Sequence, residues 1–171
     1  MRFFKNPITY LILGLGVVGV VLWPKKGFAF ARPALPDLPS MGTFQRPDLI
    51  PLAREKARKY GVPEEGWIKQ VWVESRFNPN AVGPDTSWGQ AKGIAQFVDA
   101  TASDFGINPM DPEQALDAGA KYMARLHKRY TDKGQGDVAW SLAAAGYNWG
   151  PGNVDKFLRG EKRPPSETQG Y

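Results

Sequence analysis

Cysteine is absent from all 171 residues. That excludes disulfides, thiolate metal sites and a cysteine nucleophile together. Histidine occurs once, as His127, so neither a Ser–His relay nor a multi-histidine zinc site is expected. No metal or other cofactor is expected. His127 lies in the basic run 125–129 and reads as a surface residue of a helix. Internal repeats and convincing strand alternation are also missing. Nor is there an excess of charge where a polyanion would bind. The net charge of +5 is carried by Arg2, Lys5, Lys25, Lys26 and Arg32, and residues 33–171 hold equal numbers of basic and acidic side chains. A phosphate-binding surface needs cations concentrated on the folded domain, so no nucleic-acid partner is expected.

What the chain does contain, first, is an uncharged apolar run from Ile8 to Trp23, flanked by Arg2 and Lys5 before it and by Lys25 and Lys26 after it. Its length falls between a signal-peptide core and a full span of about 20 residues. Residues 1–31 therefore read as a hydrophobic helix that serves as a membrane anchor or an export signal. Ala29-Phe30-Ala31 supplies a possible A-x-A cleavage triplet, whereas Lys25 and Lys26 favour an uncleaved anchor. Either reading places the remainder facing the periplasm. Residues 32–47 carry Pro33, Pro36, Pro39 and Pro47, a density that keeps a segment extended as a semi-rigid spacer. Residues 160–171 form a polar tail.

Residues 48–159 have the periodicity of helices, so the fold class is mainly α. Leu49, Leu52, Ala53, Lys56, Ala57 and Tyr60 suit a first helix. Pro63 with Glu64 and Glu65 marks the start of a second, because acids in a first turn face the positive end of the dipole. That helix runs to about Ser75 and is expected to end at Asn78-Pro79. A longer helix follows Asp111-Pro112-Glu113, with Leu116, Gly119, Ala120, Met123, Leu126 and Tyr130 on one stripe. Asp137 is expected to cap another, and Gly150-Pro151-Gly152 turns into a short last one.

Glu74 shares a helix face with Trp67, Gln70 and Val71. A carboxyl on such a face is costly to ionise, so its pKa should rise. A glutamic acid of that kind suits a general acid that protonates a glycosidic oxygen near neutral pH. A buried, ion-paired glutamate would occupy the same position.

The surrounding words narrow the choice. Glu74-Ser75-Arg76-Phe77-Asn78-Pro79-Asn80-Ala81-Val82 resembles the E-S-x-F-N-P-x-A-V signature of lytic transglycosylases of the soluble-lytic-transglycosylase type, relatives of goose-type lysozyme. Ala91-Lys92-Gly93-Ile94-Ala95-Gln96 is similar to their A-x-G-L-M-Q segment, and Ala145-Gly146-Tyr147-Asn148-Trp149-Gly150-Pro151-Gly152 to their A-x-Y-N-x-G-P-G. The resemblance spans about residues 48 to 158. It implies a lysozyme-like helical domain acting on the glycan strand of peptidoglycan. It also implies that Glu74 is the single acid and base, and that the sugar's own C6 hydroxyl closes a 1,6-anhydro ring. By the same resemblance Tyr147 lies by the glutamate, and Gln96 and Asn148 line the sugar groove. Ser75 reads mainly as a hydrogen-bonder at the helix end, with possible contact to the site.

Some positions depart from that pattern. Gly83 stands where the family has a serine, and Ser87 is the candidate to replace its hydroxyl. The stretch from Gly83 to Gln90 is also longer than usual. Goose-type hydrolases use extra aspartates to hold a water, so Asp85 and Asp99 are candidate partners for a hydrolytic outcome. A catalytically silent glycan-binding scaffold is the remaining alternative. An anchor, a spacer and a small neutral domain would suit a wall-piercing component of a phage particle or of a conjugation or secretion assembly. A phage-encoded chain could sit in a virion membrane.

Overall fold

The computed structural model describes residues 11–14, 17–20, 43–86 and 89–163. They fall into two compact units, one within Phe30–Ala124 and the other combining residues of Met1–Ala29 with Arg125–Tyr171. The architecture is mainly helical, as the periodicity requires.

In place of the helix expected across the apolar run, β1 (Leu11–Gly14) and β2 (Val17–Val20) pair antiparallel, with Leu11 opposite Val20 and Gly14 opposite Val17. Ile12, Val17, Val18 and Val20 are β-branched, and Gly14 and Gly19 weaken a helix, so local propensity favours strands here. No helix among the described residues is long and apolar enough to cross a membrane. The flanking lysines and the Ala29–Ala31 triplet lie outside the described residues.

In the unit within Phe30–Ala124, α1 (Ile50–Lys59) packs on α2 (Glu64–Ser75). Ala53, Ala57, Trp67, Ile68 and Val71 are fully buried, each large one contributing about 1.5–3 kcal/mol. The last spacer residues already belong to the fold: the Phe44 ring meets that of Phe77 at 5.3 Å, and the Gln45 N–H donates to the Arg76 carbonyl. What ends α2 is not Asn78-Pro79. Arg76 and Phe77 both take left-handed backbone, with φ of 55° and 64°. Such a conformation costs about 1–2 kcal/mol per residue, and it is held here by the complete burial of the Phe77 ring.

Two features of this unit were not expected from periodicity. Ala91–Lys92 (β3) and Phe97–Val98 (β4) form a short hairpin, and Val82 bridges to Lys92 on its other side. Asp99–Phe105 then forms α3. Four residues of strand and seven of helix are too short to declare a period. The fourth helix, α4 (Pro112–Asp132), begins where the Asp-Pro-Glu signal places it. It is tied to α1 by Asp117, which accepts from Lys59 Nζ at 2.6 Å and from the Tyr60 hydroxyl at 2.7 Å.

The other unit holds the end of α4 with α5 (Ala139–Trp149) and α6 (Pro151–Leu158). Asp137 does not cap α5 as expected. It lies within a 3-10 turn, Gly136–Val138, and Val138 takes the cap position without a side-chain bond. His127 is not a plain surface residue: its ring stacks on Trp140, with centroids 3.7 Å apart. Asp155 is buried on α6, accepts from Arg129 and forms an ion pair with Lys133 at 2.7 Å. The Arg129 hydrogen bond, with Lys133 beside it, holds the Asp155 carboxyl below its usual range. A depressed folded pKa gives stability that is present above about pH 4 and lost as pH falls through the folded value. Asp155→Asn should therefore lower stability by about 2 kcal/mol at neutral pH. The loss should shrink in acid, as thermal melts across pH would record.

Candidate active site

Glu74 occupies the last turn of α2. Trp67, Gln70 and Val71, on the preceding turns of the same face, are buried. Glu74 itself is half-buried, so its carboxyl is desolvated while part of the residue still meets solvent. Burial raises its pKa from 4.5 to about 7, and a hydrogen bond from the Gln70 amide opposes the rise. That bond runs from Gln70 Nε2 to Glu74 Oε1 at 2.6 Å. At neutral pH the group thus stands close to equal populations of acid and carboxylate. This is the condition the sequence pattern anticipated from the helix face alone.

Ser75 fixes the end of the helix. Its Oγ donates to the Ile94 carbonyl at 2.7 Å and accepts from the Asn78 N–H at 3.1 Å. The hydroxyl is engaged in joining α2 to the β3–β4 turn. Ser75→Ala should cost about 1–2 kcal/mol. Chemical denaturation would measure the loss.

Gly93 begins the β3–β4 turn with a φ of 75°. A Cβ there would fall 1.7 Å from the Pro109 carbonyl oxygen, so only glycine fits. Gln96 also adopts left-handed backbone, with φ at 52°. Its Nε2 donates to Gly93 O at 2.8 Å and more weakly to Ala81 O at 3.4 Å. The amide expected to line a sugar groove is therefore partly committed to the backbone, and Oε1 is the half outside those bonds. A Cβ on Gly83 would come within 3.2 Å of that oxygen. Glycine at the family's serine position thus keeps the space beside Oε1 open.

Glu74, Gln70, Ser75 and Gln96 are thereby joined through α2 and the adjoining hairpin. Tyr147 and Asn148 stand on α5, in the other unit. Tyr147 is half-buried and Asn148 exposed, and Asn148 Nδ2 donates to the Ala144 carbonyl at 3.1 Å. Asp85 is exposed in its loop, and Ser87 lies outside the described residues. Asp99 gives both carboxylate oxygens to Lys92 Nζ, at 2.7 and 3.0 Å. Among the described residues, no group of three or more His, Asp and Glu side chains could hold a metal ion. The Gln70 bond to Glu74 and the approach of Gly93 to Pro109 lie outside the expectations drawn from the sequence. The Gln70–Glu74 spacing is a readable signal, since residues four apart on a helix are neighbours. The Gly93–Pro109 approach has no local one.

The Transglycosylase SLT domain family matches residues 51–169. Membrane-bound lytic murein transglycosylase F of Pseudoalteromonas translucida (strain TAC 125) is 40% identical over 86 residues, which are 49% of this chain and 17% of that protein. Membrane-bound lytic murein transglycosylase C of Yersinia pestis (strain Pestoides F) is 32% identical over 126 residues, covering 66% of this chain and 34% of the relative. The same figures hold for the protein of that name in Yersinia pseudotuberculosis (serotype O:1b, strain IP 31758). The chain thus spans about a third or less of the length of these relatives. The family match covers residues 51–169, a range that includes Glu74, Gly93–Gln96 and Tyr147–Asn148, and on that extent the chain belongs to the Transglycosylase SLT domain family.

Proposed function

We propose that this protein is a lytic transglycosylase that cleaves the β-1,4 linkage between MurNAc and GlcNAc in peptidoglycan. Glu74 is its single acid and base. In the first half, protonated Glu74 gives its proton to the glycosidic oxygen as the bond to C1 breaks. In the second, the carboxylate removes the proton of the C6 hydroxyl while that oxygen bonds to C1. The product end is 1,6-anhydro-MurNAc, the proton is back on Glu74, and no second carboxylate is needed. The observation that carries this reading is the Glu74 pKa of about 7 on an otherwise buried helix face, because one group must serve in both protonation states.

The family resemblance supports the remaining roles. By that resemblance Tyr147, Asn148 and Gln96 serve the glycan, the two amides through donors and acceptors suited to sugar hydroxyl and N-acetyl groups. A hydrolytic outcome would need an aspartate to hold a water, and the tie between Asp99 and Lys92 disfavours that residue. Residues 48–159 are the catalytic module in this reading, and residues 1–31 attach or export it to face the periplasmic wall. The relatives' names describe membrane-bound proteins, which agrees with attachment. The 171-residue chain and its Glu74→Gln variant, incubated with purified sacculi, test the function. Soluble muropeptides should be released by the first and not by the second. Equal release by both would refute the assignment of Glu74.

A further inference from the structure

We propose that Gln70 is the positioning residue of Glu74. Its amide holds Oε1 and leaves Oε2 as the oxygen that gives and retakes the proton. This rests on the reading of Glu74 as acid and base. Gln70 is 1% exposed, so its side chain cannot swing into water to abandon the bond. Its Nε2 lies 2.6 Å from Oε1, and the two residues are successive-turn neighbours on α2. The contact therefore depends on one helix and not on packing between elements.

The residue type matters as much as the place. A lysine or arginine here would hold the carboxylate ionised and remove the acid. An apolar side chain would leave the anion formed by the first proton transfer without a donor in a desolvated setting. A neutral amide lies between these. It donates to Oε1 as charge develops there, and burial opposes full ionisation. During the reaction the proton leaves Oε2 for the glycosidic oxygen, and the charge left on the carboxylate is met at Oε1 by the Gln70 N–H. The C6 hydroxyl proton then returns to Oε2 as the ring closes.

Gln70→Met keeps the length and removes the donor. In the 171-residue chain, the titration of the Glu74 carboxyl carbon can be followed by NMR, with the resonance assigned by its absence in Glu74→Gln. The midpoint should rise by about 1 pH unit, and the alkaline limb of sacculus clearing should move with it. A role confined to packing would change stability and leave both unmoved. A folded Gln70→Met protein with the wild-type midpoint overturns the proposal. Should that variant fail to fold, the wild-type protein decides. The Gln70 side-chain amide resonances must change with the same midpoint as the Glu74 carboxyl, and their indifference to pH overturns it equally. A coupled titration in a wild-type protein that cleaves no glycan would instead reject the enzymatic reading while leaving the Gln70–Glu74 coupling intact.

Discussion

Glu74→Gln should lower glycan cleavage by about 100- to 10,000-fold and at the same time make the protein more stable above neutral pH. The two effects share one cause. Below about pH 4.5 the carboxyl is protonated in the folded and the unfolded chain alike and contributes nothing. Between there and the folded value of about 7, the unfolded chain has released a proton that the folded chain retains. Each pH unit in that window then favours unfolding by about 1.4 kcal/mol. Above 7 the penalty is complete, up to about 3 kcal/mol. Glutamine removes it, so the variant's advantage in denaturant melts should be near zero at about pH 4 and largest at about pH 8. An advantage equal at both pH values would mean that Glu74 is not held in a desolvated setting. The loss of activity would then need another explanation.

The second large effect is structural. Gly93→Ala places a methyl carbon 1.7 Å from the Pro109 carbonyl oxygen in backbone at φ 75°. Backbone cannot yield as a side-chain tip does, so the turn that carries Ile94 and Gln96 must open. We expect a loss of about 4 kcal/mol or more, read as a fall in Tm of about 10 °C or more. Gly106→Ala is the matched control. Its φ is 64° and a Cβ there meets nothing within 4 Å, so it should cost only about 1–2 kcal/mol. Similar losses at both positions would show that left-handed backbone, and not the contact with Pro109, makes Gly93 necessary. Ile94 accepts from Ser75 at the end of α2. Gly93→Ala should consequently also impair cleavage in whatever fraction remains folded.

The long helices and the desolvated setting of Glu74 were legible because their signals are local and repeated. Pro112 and Glu113 start α4, and the buried stripe through Leu116, Ala120, Met123, Leu126 and Tyr130 follows at helical spacing. The elevated pKa of Glu74 followed from the residues on its own helix face. Tertiary effects were not legible. Arg76 and Phe77 end α2 in left-handed backbone because Phe77 is buried, and nothing in their residue types announces it. Gln96 resembles a sugar-binding amide in sequence, yet its position beside Gly93 and Ala81 draws its Nε2 into backbone bonds. Asp137 has the residue type of a helix cap but lies one residue early, inside a 3-10 turn. The β1–β2 pairing turns on β-branching that hydropathy averages away.

Digestion of sacculi in heavy-oxygen water tests the central claim most directly. If Glu74 works alone and the C6 hydroxyl is the nucleophile, mass spectrometry should find anhydro-MurNAc ends with no solvent oxygen incorporated, formed by the wild-type chain and not by Glu74→Gln. Reducing ends labelled from the solvent would contradict it. They would show that water attacks C1 and that this site holds a hydrolytic partner for Glu74.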